Sequence, residues 1–166
     1  MKAVLIALAA LCSAPALADP SRSDVASDPE GEVIGAAETF FEALRDPDKT
    51  ALAYMMLPEG VIFVHDRRDP AAPKTRIVPA GTHLESWTKS PPGTDEYMIY
   101  ETVLVDGEMA HVWGPYVFLV DGKPTHCGTN SMSFAKTAAG WRVGNTSFTM
   151  TALDECEALG APDTGQ

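Results

Sequence analysis

Residues 110–143, AHVWGPYVFLVDGKPTHCGTNSMSFAKTAAGWRV, decide how the rest of the chain is read. Two runs rich in β-branched and aromatic residues flank Asp121-Gly122, and a third begins at Gly140-Trp141. Asp-Gly suits a tight hairpin turn, whose residues need positive φ. Working outward, Asp106-Gly107 makes the same kind of join to EYMIYETVLV (96–105), and TAAG (137–140) leads into WRVGNTSFTMT (141–151). The pattern predicts a four-stranded antiparallel meander.

Upstream, VIFVHD (61–66) and KTRIVP (74–79) predict an earlier hairpin across a Pro-bearing loop. Three helices come with them. Asp28 and Pro29 suit an N-cap and first helical position, and Val33, Ala37, Phe40, Phe41 and Leu44 share one face of a helix ending near Arg45. Asp46-Pro47 repeats that opening for a shorter helix that stops at Pro58. Thr82 and Glu85 have capping-box spacing, starting a brief helix that carries Leu84 and Trp87. Helices of this number beside a meander predict an α+β domain, the helices covering one face of a curved antiparallel sheet.

The first eighteen residues, MKAVLIALAALCSAPALA, combine an early Lys2, an apolar run and a small-x-small ending, the pattern of a secretory signal peptide. Residues 19–30 read as a flexible polar leader. The expected mature chain is therefore residues 19–166, periplasmic or secreted, with no membrane span. The whole chain has net charge −11, with 12 Lys+Arg against 23 Asp+Glu. So acidic a surface repels phosphate backbones and disfavours nucleic-acid partners. Of three cysteines, Cys127 and Cys156 lie in the expected mature chain, an even number in a compartment that permits disulfides.

The element order, together with Ala110, Val112, Tyr116, Asp121-Gly122, Gly128, Phe134 and Gly140-Trp141, resembles the nuclear transport factor 2-like superfamily, including its SnoaL-like branch. The resemblance covers residues 31–151 and leaves 152–166 as a C-terminal tail. It implies a cone-shaped domain whose sheet wraps a pocket. Such domains serve isomerases, dehydratases, cyclases, small-ligand binders and assembly modules, so the fold leaves the function open.

Adjacent strand residues face opposite ways, so His126 and Cys127 cannot act as a catalytic dyad. The superfamily's inward parity implies that His126, Gly128, Asn130, Met132 and Phe134 face the pocket and Cys127 the outer side. With the last turn at 137–140, Cys127 falls opposite about residue 150, within reach of Cys156. A Cys127–Cys156 disulfide is the expectation, with two separate thiols as the alternative. The superfamily places acidic, histidine or tyrosine side chains in its cone, which makes His126 and Glu101 the candidate catalytic pair. Glu101 shares parity with Tyr97, Ile99, Val103 and Val105, yet the opposite parity is just as apolar, so it equally suits solvent. His126 also reads as a histidine satisfied by a neighbouring hydroxyl. Tyr116, Asn130 and Asn145 are candidate ligand contacts, and Trp87 a candidate cap on the pocket.

The four histidines, at 65, 83, 111 and 126, lack metal-ligand spacing, and no Gly-rich phosphate loop, G-x-S-x-G elbow or Walker pattern occurs. Neither a metal nor a cofactor is expected. The sequence reads as an exported small-ligand-binding domain with an apolar pocket. The alternative is a cofactor-free acid-base isomerase, dehydratase or cyclase acting on a small hydrophobic substrate. Met109, His111, Trp113, Val117 and Leu119 form an apolar outer face that predicts a homodimer.

Overall fold

The computed structural model describes residues 28–89 and 92–165. The expected signal peptide and residues 19–27 of the expected leader lie outside them. Helix α1 (Pro29–Arg45) opens as its sequence predicts, with Asp28 accepting a hydrogen bond from the Gly31 N–H at 3.0 Å and Pro29 in the first turn. Val33, Ala37, Phe41 and Leu44 form its buried face. The next helix, α2 (Thr50–Met55), is shorter than predicted, because Asp48 captures the Thr50 N–H and hydroxyl and holds residues 46–49 in a turn. Lys49 then folds under: its buried Nζ donates to the Leu44 carbonyl at the end of α1 and, at 3.2 Å, to Thr94 Oγ1.

The remaining helix, α3 (Ala80–Trp87), begins two residues before Thr82 and uses no capping box. Its first N–H groups are instead satisfied by the turn at residues 58–60, about twenty positions earlier, Ala80 donating to Gly60 O at 2.9 Å and Gly81 to Pro58 O at 3.0 Å.

Seven strands make one sheet: β1 (Val61–Asp66), β2 (Lys74–Pro79), β3 (Thr94–Met98), β4 (Thr102–Asp106), β5 (Met109–Val120), β6 (Lys123–Thr137) and β7 (Gly140–Met150). Their order is β2-β1-β7-β6-β5-β3, with β4 also on β5. The β5-β6-β7 meander is as predicted. The sheet is mixed rather than wholly antiparallel, because β1 runs parallel to β7, Ile62 opposite Thr146 and Asp66 opposite Met150.

Two of the sheet's irregularities reset which side chains face inward at predicted site residues. The run predicted as one strand from residue 96 to 105 is broken into β3 and β4. Ile99 donates to Pro115 O at 2.9 Å and Glu101 to Trp113 O at 3.1 Å, but Pro115 has no N–H to return to Ile99. The Ile99 carbonyl settles against Gly114, where a Cβ would meet it at 1.8 Å. Pairing sets Met98 opposite Tyr116 and Thr102 opposite Trp113, so one extra residue lies between the halves and parity flips. A second register shift, opposite Ser133/Phe134, flips β7 beyond Val143.

The core lies between α1, α2 and the concave face, with Phe41, Leu52, Met56, Val112, Tyr116 and Met132 almost fully buried. On the convex face the expected disulfide is present, joining Cys127 to Cys156 with Cα atoms 5.7 Å apart. It anchors the segment containing a short 3-10 helix, Leu153–Glu155, to β6. The apolar face predicted for dimerisation is consequently smaller than expected: Val117, opposite Cys127, and Leu119 are each 3% exposed. Leu104, Met109 and Trp113 remain exposed.

Candidate functional site

A cavity of about 340 Å³ opens between the concave face, α1 and α3. Its walls are largely apolar, with Phe40 and Phe41 from α1, Trp87 from α3, and Phe118, Met132 and Phe148 from the sheet. Alternation along β5 and β6 turns Tyr116, His126 and Asn130 into it, as predicted. Trp87 also lines it, donating through Nε1 to His83 Nε2, its ring 6.4 Å from Phe118.

Two predicted site residues lie elsewhere. Glu101 is exposed, sits in the break between β3 and β4, and does not line the cavity. Asn145 is exposed too, and its Oδ1 accepts the Val61 N–H at 2.8 Å, fastening β7 to β1. Each was misplaced by a bulge. Past the shift in β7, Thr146, Phe148 and Met150 face inward in place of Asn145.

The carboxylate that does reach the cavity is Glu96, on β3 opposite Phe118. Its Oε1 accepts from Asn130 Nδ2 at 2.6 Å. Burial pushes its carboxyl up to about 7, further raised by Asp95 and opposed by the Asn130 hydrogen bond and by Arg45. Arg45 is itself held by Asp95, Nε to Oδ1 at 2.5 Å. The sequence carried one sign of this arrangement: Gly114-Pro115 in mid-strand cannot support a regular neighbour.

His126 is buried and stacked on Phe118, ring centroids 5.1 Å apart, and it meets the edge of Tyr116 at 5.9 Å. Burial, assisted by Arg68, lowers its pKa to about 4, so the ring is neutral at neutral pH. Thr125 Oγ1 lies 3.0 Å from Nδ1 and 3.2 Å from the Phe118 carbonyl, to which it donates. With that proton committed, the hydroxyl oxygen accepts from Nδ1–H, which leaves Nε2 as an acceptor. Tyr116 spends its hydroxyl on Thr149 O at 2.8 Å, and burial raises its pKa strongly. The site therefore offers an acceptor at His126, a shared amide-carboxyl pair at Asn130 and Glu96, and broad aromatic walls.

Among the described residues no group of three or more His, Cys, Asp or Glu side chains could hold a metal ion, and no helix is long and apolar enough to cross a membrane. Neither a family model nor a curated protein matches the sequence. Solved structures do match the shape. A candidate dehydratase of the nuclear transport factor 2-like family from Streptomyces avermitilis is 19% identical, with TM-score 0.56 over 73% of this chain and 94% of that one. A nuclear transport factor 2-like protein with a cystatin-like fold from Novosphingobium aromaticivorans is 18% identical, with TM-score 0.55 over 78% and 85%. The β subunit of a candidate aromatic-ring-hydroxylating dioxygenase from the same organism is 12% identical, with TM-score 0.58 over 75% and 90%. Likeness at these identities is likeness of fold, and on it the chain has the nuclear transport factor 2-like, cystatin-like fold, an α+β cone with few helices packed on a curved mixed sheet.

Proposed function

We propose that the chain is an exported, periplasmic or secreted domain that binds a small apolar molecule inside the cone. The observation that carries this reading is the cavity itself. At about 340 Å³ it falls within the usual range for ligand sites, and a few convergent polar groups, Tyr116, His126, Asn130 and Glu96, interrupt apolar walls. The bonded cysteines and the signal-like first eighteen residues support export. A second copy of the chain is the proposed partner, meeting the exposed Leu104, Met109 and Trp113.

The experiment is native mass spectrometry of the protein recovered from its own compartment, followed by binding of whatever compound is retained. His126→Ala is expected to weaken retention by about 1 to 3 kcal/mol, the cost of leaving a buried hydrogen-bonding group unpaired. Unchanged affinity would remove His126 from the site.

One observation favours a second reading, acid-base isomerase, dehydratase or cyclase chemistry without a cofactor. A carboxyl poised near 7 both gives and takes protons at neutral pH, and Glu96 is such a group. Neutral His126, held near 4, would then orient substrate rather than abstract a proton. On the retained compound Glu96→Gln should lower turnover about 100-fold or more with little change in affinity. Glu101→Gln should alter neither.

A further inference from the structure

Strand β2 carries its side chains the wrong way round for burial alone. Pairing with β1 sets Arg76 opposite Val64 and Val78 opposite Ile62, on the concave side, while Ile77 turns outward and is 66% exposed. Simple amphipathic alternation would send the isoleucine in and the arginine out. Arg76 instead lines the mouth of the cavity, among the described residues the one Lys or Arg to do so. Among the described residues its guanidinium makes no ion pair or hydrogen bond. Asp66, whose carboxylate feels its charge, is already chelated by Arg68, Nε at 2.9 Å and Nη2 at 2.7 Å.

A second donor stands at the same mouth. Burial first, and Arg76 second, hold His83 near 4, so its ring is neutral. Trp87 donates to His83 Nε2, which puts the ring proton on Nδ1 and makes that atom a donor. The rim of the cavity thus presents cation and N–H, while the carboxyl of Glu96 belongs to a different part of the wall, where Arg45 and Asp95 are the charges that act on it.

We propose that the site takes an apolar monocarboxylate, its ring or chain lying among Phe40, Phe118 and Phe148 and its carboxylate resting at the rim on the Arg76 guanidinium, with His83 Nδ1–H as the second donor. The inference rests on reading the cavity as a ligand site and adds the charge of the ligand. A planar guanidinium whose carboxylate neighbour, Asp66, is already engaged by Arg68 matches the two oxygens of such a group, and the apolar wall beside it strengthens the attraction. Set among apolar lining residues, this cation selects for one anionic end and leaves the remainder of the molecule to the aromatic walls.

Calorimetric titration of the full chain with 2-naphthoate and with 2-naphthamide, matched in shape and differing in charge, tests it. The acid is expected to bind more tightly than the amide. Arg76→Gln should weaken the acid by about tenfold, as loss of one charge-assisted contact does, while leaving the amide unchanged. Arg76→Lys, which keeps the charge but not the fork, should lose less, and added salt should weaken only the acid. Thermal melts of both variants confirm that each is folded. Equal binding of acid and amide, or equal loss of both in Arg76→Gln, overturns the carboxylate assignment while the pocket reading stands. Failure of both probes to bind the unaltered chain overturns the two together.

Discussion

Asn130 reaches across β5 to Glu96, its Nδ2 donating to Oε1 at 2.6 Å, from a strand that never pairs with the one carrying the carboxylate. Only a break in the edge strand brings Glu96 to that side. The polar wall of the cavity and the irregular edge therefore arise together.

The first prediction uses the opposed titrations in the cavity. Glu96 is raised from an ordinary 4.5 to about 7, so its contribution is full below 4.5 and is lost as pH rises towards 7. His83 and His126 are lowered from 6.5 to about 4, so theirs is full above 6.5 and is lost as pH falls towards 4. Between 4.5 and 6.5 two groups favour higher pH and one favours lower. Each proton is worth about 1.4 kcal/mol per pH unit at full separation. Glu96→Gln should make stability climb more steeply with pH in that interval, and urea unfolding at several pH values reads it. Parallel curves for the variant and its parent would mean that the carboxyl is not displaced.

The second concerns Gly114. A methyl group there meets the Ile99 carbonyl at 1.8 Å, whereas at Gly35, on the exposed side of α1, nothing lies within 4 Å. Gly114→Ala should destabilise by about 2 kcal/mol or more and disturb ligand retention through Glu96. Gly35→Ala should stabilise by roughly 0.5 to 1 kcal/mol through helix propensity. Denaturant midpoints that move the same way for both would contradict the close approach.

Much of the fold was legible because the signals were local. Asp28 and Pro29 capped α1, and Asp-Gly pairs set the turns of the meander, Asp121 and Gly122 both adopting positive φ. Strand parity carried Tyr116, His126 and Asn130 correctly because β5 and β6 stay in register from Met109 to Phe118. Glu101 and Asn145 were lost to bulges, and a bulge is decided by what lies beside it: Pro115 without its N–H on the neighbouring strand in one case, Gly60 just before β1 against the Gly144 carbonyl in the other. Parallel pairing of β1 with β7 was equally hidden, being a contact between segments about eighty residues apart.

The third prediction follows the disulfide. Cys156→Ser opens a loop with a separation of 29 residues and should cost about 3 to 4 kcal/mol on the chain-entropy account. It should also free the C-terminal segment from β6 and uncover Val117 and Leu119, seen as increased binding of an apolar dye at pH 7. A variant with the parent's stability and dye binding would show that the tail stays in place without the bond.

The fourth tests assembly. Leu104, Met109 and Trp113 are 61%, 64% and 45% exposed on one face of β4 and β5. Light scattering should give twice the chain mass at micromolar concentration, and Trp113→Glu should return the single-chain mass. If the unaltered chain stays at single-chain mass as concentration rises, this patch is not where two copies meet.

The parallel β1-β7 pair has a consequence for how the molecule is made. Strand β1 ends at residue 66, and the strand it must lie against ends at residue 150. Until that last segment has left the ribosome, β1 and β2 are a two-stranded ribbon with nothing beside them, and such a ribbon is barely stable alone. Ile62 and Val64 are almost fully buried in the finished sheet, which needs that later strand beside them. Sheet completion waits until residue 150 has been made, and pairing strands this far apart closes a long loop, which slows folding.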